Sequence, residues 1–158
     1  MTGINVHKAL SAAQGYLELG MFEDAHLELN RLSPEMLGRP EFLECRLFLY
    51  MQQRRWEEAL GIASKLRRTD PSLATGYIQA AFCLHELGRT FEAKELLLNG
   101  PESLRQNALY HYNLACYEAV LGEINSALDY LKKSFALQSD LRDVAREDSD
   151  LKSLHGLY

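Results

Sequence analysis

Apolar and polar residues over 74–98 follow a helical period that breaks once and then resumes. Tyr77, Ala80, Ala81, Leu84 and Leu87 fall at i, i+3, i+4 steps, Gly88 interrupts them, and Ala93, Leu96 and Leu97 take the stripe up again. That spacing places one apolar face on each of two consecutive helices joined by a tight turn. Read along the whole chain, it predicts helices near 6–19, 22–32, 40–52, 55–68, 72–87, 90–98, 104–121, 124–137 and 140–148. Gly20, Gly88 and Gly122 suit a left-handed C-cap. Glu23, Glu57 and Glu92 lie in the opening turn of the helix that follows, where the positive end of the dipole favours them. Asp70-Pro71 reads as an N-cap with proline at the first helical position, and Ser33-Pro34, Gly38-Arg39-Pro40 and Asn99-Gly100-Pro101 read as similar junctions.

The pattern repeats. Ala25, Ala59, Ala93 and Ala127 are each 34 residues apart. Five residues before them stand Gly20, Arg54, Gly88 and Gly122, and two after those come Phe22, Trp56, Thr90 and Ile124. On the first helix of each unit a second site holds Ala13, Leu47, Ala81 and Ala115. Small residues are needed where two helices cross closely, so Ala115 and Ala127 are expected to face each other. Tyr117, Leu121, Ile124 and Leu131 then fill the space around that contact. Each unit is thus a pair of antiparallel helices, and a single domain over 1–158 holds repeats at about 6–39, 40–73, 74–107 and 108–141. Leu141, Val144 and Ala145 form one apolar stripe, while Arg142, Asp143, Arg146, Glu147 and Asp148 point outward in that reading. Segment 140–148 therefore reads as a capping helix, since a repeat stack needs a polar end. Leu151, Leu154 and Leu157 read as a staple folding back within 140–158.

A 34-residue helix–turn–helix with these small residues, the turn glycine and the aromatic after it resembles the tetratricopeptide repeat. The resemblance covers residues 6 to about 141; unit two departs most, with Leu47 for the small residue and Arg54 for the glycine. It implies an all-α fold, a right-handed superhelix of antiparallel helix pairs with the first helices lining a concave groove. The groove positions then carry Leu10, Gln14 and Leu17 in unit one and Glu44, Phe48 and Met51 in unit two. They carry Ile78, Phe82 and His85 in unit three and Tyr112 and Cys116 in unit four, with Glu41, Glu44 and Glu86 along the rim. By this resemblance the chain is a non-catalytic scaffold for protein–protein interaction, accepting an apolar peptide or protein segment with some basic residues. Family members that hold the acidic tails of heat-shock chaperones use Lys, Arg and Asn at positions where Asn113 alone matches, so that ligand class is not expected. Two alternatives stand beside the groove reading: a self-associating scaffold (a homo-oligomer), and a small secretion-type chaperone for a hydrophobic client.

Composition narrows the rest. At 158 residues, 47% hydrophobic, the chain can bury a core without metal or disulfide. A net charge of −5 argues against nucleic acid as the main partner. The basic run of Arg54, Arg55, Lys65, Arg67 and Arg68 is interleaved with Glu57 and Glu58, as on a solvated face. No apolar stretch approaches the roughly 18 residues that span a bilayer, so no membrane insertion is expected. The opening residues lack a basic stretch followed by an apolar run. Cys45, Cys83 and Cys116 read as buried free thiols of a reducing compartment, which places the chain in the cytoplasm. His7, His26, His85, His111 and His155 show no metal-ligand spacing, and there is no phosphate loop or nucleophile elbow. No enzyme activity, cofactor or metal is therefore expected.

Overall fold

A computed structural model describes residues 6–158, and among them every regular element is a helix. In chain order they are α1 (Val6–Glu18), α2 (Phe22–Asn30), α3 (Pro34–Leu37), α4 (Pro40–Gln52) and α5 (Trp56–Thr69). Then follow α6 (Ala74–Glu86), α7 (Thr90–Leu98), a 3-10 turn (Glu102–Gln106), α8 (Ala108–Val120), α9 (Ile124–Leu137), α10 (Leu141–Glu147) and a closing 3-10 segment (Ser149–Leu154).

The turn inside each repeat is built the same way four times. Gly20, Gly88 and Gly122 have φ of 71°, 77° and 87°, and Arg54 takes φ 55° at the equivalent place in the second repeat. Each donates its N–H to the carbonyl three residues back, and the next residue donates to the carbonyl five back, as in Arg54 to Met51 at 2.9 Å and Arg55 to Tyr50 at 2.9 Å. These paired bonds satisfy carbonyls that the helix end would leave open. The left-handed residue is what permits them. Only in repeat two does a side chain have to adopt a conformation that suits glycine.

The chain packs as two units, one up to Gly76 and one from Tyr77 to Tyr158. In the first, α1 packs on α2 and α4 on α5. Ala9, Ala13, Ala25, Leu29, Phe42 and Leu49 form part of its buried core. In the second, α8 packs on α9, with α10 against α9. All eight crossing-site residues, Ala13, Leu47, Ala81 and Ala115 with Ala25, Ala59, Ala93 and Ala127, are fully buried. The seven alanines and Leu47 are thus shielded completely, as closely packed helix pairs require.

Several local expectations are corrected. The helix expected from 72 begins at Ala74, and Asp70 is no helix N-cap. Its carboxylate accepts from the Ser72 N–H at 3.0 Å and hydroxyl at 2.6 Å, so it holds a turn after α5. The helix expected from 104 begins at Ala108, because Asn107 caps it by accepting from the Leu109 N–H at 2.9 Å. Helix α3 is additional to the predicted set; Ser33 accepts from the Met36 N–H and Pro34 opens it. Leu121, Val144 and Leu157 are exposed rather than packed. Tyr158 takes the role given to Leu157, donating its hydroxyl to the Ala145 carbonyl at 2.9 Å and lying against Phe135.

Candidate functional site

In the first unit, an open groove of about 550 Å³ lies where α1 meets α4. Gln14, Leu17, Glu44 and Phe48, four of the expected groove residues, line it together with Glu18, Phe22, Glu41 and Gln52. The helical phase accounts for this: Gln14, Leu17 and Glu18 share one face of α1, and Glu41, Glu44, Phe48 and Gln52 share one face of α4. Phe48 keeps 37% of its surface exposed. Glu41 is paired with Arg39, which leaves Glu18 and Glu44 as the further carboxylates of the lining. Leu10 packs against the core of this unit, and Met51 is half-buried. Neither lines the groove.

In the second unit, the expected groove residues are covered. Ile78, Tyr112 and Cys116 are buried, and Phe82 and His85 are half-buried. The closing 3-10 segment packs on α8. Continuing the helical phase of α10 through Asp148 would point that residue outward. The helix instead stops at Glu147, and Asp148 turns extended, with φ −79° and ψ 117°. Its carboxylate then accepts from the Tyr112 hydroxyl at 2.7 Å, the Cys116 thiol at 3.7 Å and the Asp150 N–H at 3.0 Å. Asp150 takes His85, with Nε2 at 2.8 Å from Oδ2. Leu151 and Leu154 are fully buried beside these contacts. Residues 148–158 thus form a strap over the α6 and α8 face of this unit.

His85 is held on three sides. Its Nδ1 lies 2.9 Å from the Thr90 hydroxyl, and its ring lies 5.0 Å from that of Tyr117. The hydrogen bond to Asp150 raises its pKa, burial opposes this, and the charges of Asp150, Glu86 and Asp148 add to the rise. Burial raises the Tyr112 hydroxyl, and the bond to Asp148 adds to it, while burial and the nearby aspartates raise the Cys116 thiol. Both groups therefore stay protonated donors. Burial also pushes the Cys83 thiol up to about 12 and raises Cys45. Such thiols are poor nucleophiles.

Cys116 Sγ and the carboxylates of Asp148 and Asp150 lie within 4.8 Å of one another, a donor set of metal-ligand type. The hydrogen bonds from Tyr112, Cys116 and His85 account for the same atoms without an ion. Asp148, Asp150, Thr90 and Tyr117 are site residues that the repeat pattern does not point to. The Asp148-Ser149-Asp150 pattern, which favours a local side-chain-to-backbone turn, is the available signal that the helix ends there.

No protein-family model matches the chain, and no curated protein matches it. Solved structures do. A thermophilic TPR protein of Thermus thermophilus, TTC0263, is 19% identical with a TM-score of 0.75, over 95% of this chain and 83% of that one. MamA MSR-1 is 21% identical with a TM-score of 0.68, over 89% and 79%. MamA AMB-1 is 14% identical with a TM-score of 0.69, over 90% and 83%. The all-α fold of tetratricopeptide-repeat proteins is therefore the fold of this chain. No helix among the described residues is long and apolar enough to cross a membrane.

Proposed function

We propose that the chain is a non-catalytic protein-interaction module whose first-unit groove takes an apolar peptide or protein segment carrying basic residues. One observation carries this reading: Leu17 and the exposed ring of Phe48 share a groove with Glu18, Glu41 and Glu44. A partly exposed aromatic in a concave site is the usual anchor of a protein interface. Apolar burial there contributes roughly 25 cal/mol per Å², and the carboxylates select charge and speed encounter. The fold alone does not assign a function, and the residues of the groove are what support this reading. Buried, protonated thiols suit a binding protein better than a catalyst, and they suit a reducing, cytoplasmic setting.

A phage-displayed peptide library selected on the purified chain tests this. Enriched sequences should combine Leu or Phe with Lys or Arg, and synthetic versions should bind in fluorescence anisotropy. Phe48→Glu should weaken them at least about tenfold, on the scale of an anchor residue, with an unchanged circular dichroism spectrum. Glu44→Lys should slow association and reverse the charge preference. Equal enrichment of acidic peptides, or unchanged binding by folded Phe48→Glu, rejects the reading.

A further inference from the structure

The wall beneath the strap is made of hydrogen-bond donors. The Tyr112 hydroxyl, the Cys116 thiol and the His85 imidazole meet strap carboxylates at 2.7, 3.7 and 2.8 Å. The backbone N–H groups of Asp148, Leu151, His155 and Leu157 bond locally, to the carbonyls of Ala145, Asp148, Lys152 and Leu154. Recognition across this face therefore runs through side chains, and side chains in fixed places are a sequence. An acid, a spacer, an acid and a leucine are followed by two spacers and a second leucine; both leucines are fully buried.

We infer that the α6 and α8 face of the second unit is a docking surface for an acidic, leucine-bearing protein segment of the form Asp-x-Asp-Leu-x-x-Leu. Residues 148–154 occupy it as the chain's own stand-in, and a partner of that chemistry displaces them. Hydrogen-bond complementarity commits the occupant. Donors from Tyr112 and Cys116, with the His85 ring, match carboxylates and offer a basic segment nothing, the opposite sense to the carboxylate-lined groove of the first unit. The strap also suits displacement. It is a short 3-10 segment, whose hydrogen bonds are intrinsically poorer than those of an α-helix. While closed, it lowers the apparent affinity for a partner by the fraction of time the face is free.

The test uses the full chain and a fluorescent peptide of residues 147–155, EDSDLKSLH. Replacing strap residues, Asp148→Asn with Asp150→Asn, removes both anchors and leaves the wall intact. Fluorescence anisotropy should show the peptide binding this variant at least about tenfold tighter than the parent, because the free fraction has risen. A peptide with both aspartates as asparagine should fail to compete. Equal affinity for parent and variant, or equal competition by the asparagine peptide, overturns the proposal. Concentration-dependent dimerisation of the variant that excludes the peptide would reassign the surface to a second copy and overturn the partner stated here. Should the variant unfold, hydrogen exchange on the parent decides: excess peptide should strip protection from amides 150–155, and unchanged protection refutes displacement. None of these outcomes depends on the first-unit groove, so either proposal can fail alone.

Discussion

Lys94 on α7 reaches Glu118 on α8 at 3.1 Å, with side chains 21% and 6% exposed, and Ser126 donates a second hydrogen bond to the same carboxylate at 3.2 Å. A carboxylate this deep is tolerated because both of its oxygens have a partner. Removing the cation leaves the charge buried with one neutral donor. Lys94→Ala should therefore cost roughly 2–3 kcal/mol, somewhat under the range for a fully buried pair because Lys94 keeps some water. Glu118→Gln should cost less, about 1 kcal/mol, since it removes the charge and keeps the shape. Urea denaturation of both variants gives the comparison; a milder Lys94→Ala would show that water already screens the pair.

Arg54 is the one non-glycine residue with positive φ among the described residues. A side chain there costs about 1–2 kcal/mol relative to glycine, and glycine returns roughly 0.5–1 kcal/mol through unfolded-chain entropy. Arg54→Gly should therefore stabilise by about 0.5–1 kcal/mol, raising Tm by roughly 1–4 °C for a chain of this size. Gly88→Ala and Gly122→Ala should lower it. A thermal melt of the three variants checks both signs.

The crossing sites give opposite predictions in different repeats. Ala127 is fully buried, so Ala127→Leu should cost about 1–3 kcal/mol by overpacking. Leu47 fills the equivalent first-helix site and is also fully buried. Leu47→Ala should therefore cost about 2–5 kcal/mol by opening a cavity, although alanine is what repeats one, three and four carry there. Denaturation midpoints decide; a neutral Leu47→Ala would mean the second repeat closes up around alanine.

The strap should respond to pH through His85. Its bond to Asp150 raises the folded-state pKa above the ordinary value of about 6.5. A raised histidine contributes its full stabilisation below the unfolded value and loses it as pH rises through the folded value. The parent should therefore lose more stability between pH 6 and pH 8 than Asp150→Asn does. Urea midpoints at the two pH values measure this difference. The opposite ordering would mean that burial, not Asp150, governs His85.

The repeat period, the left-handed caps and the buried crossing sites are all legible in the residues, because each rests on local geometry or on a spacing that recurs. Phe48 and Glu44 can be placed together for the same reason, since both sit on one face of α4. What covers Tyr112 and Cys116 cannot be read that way. It depends on α10 ending one residue before Asp148, and one extended residue sends a carboxylate inward that helical phase sends out. Pro71 misleads for a related reason: Asp70 is satisfied by Ser72 in a turn, so the proline does not begin a helix.

Cys116 lies beneath the strap, its thiol hydrogen-bonded to Asp148. A thiol reagent can reach that sulfur only when the strap has lifted, so its labelling rate measures how often the segment comes off. Cys83 is fully buried in its own unit and should label only when larger parts of the chain open. Cys45 borders the open first-unit groove and should label independently of the strap. Cys116 and Cys83 thus make a native pair of clocks, with local detachment timed against wider unfolding in one mass spectrum and no foreign probe attached.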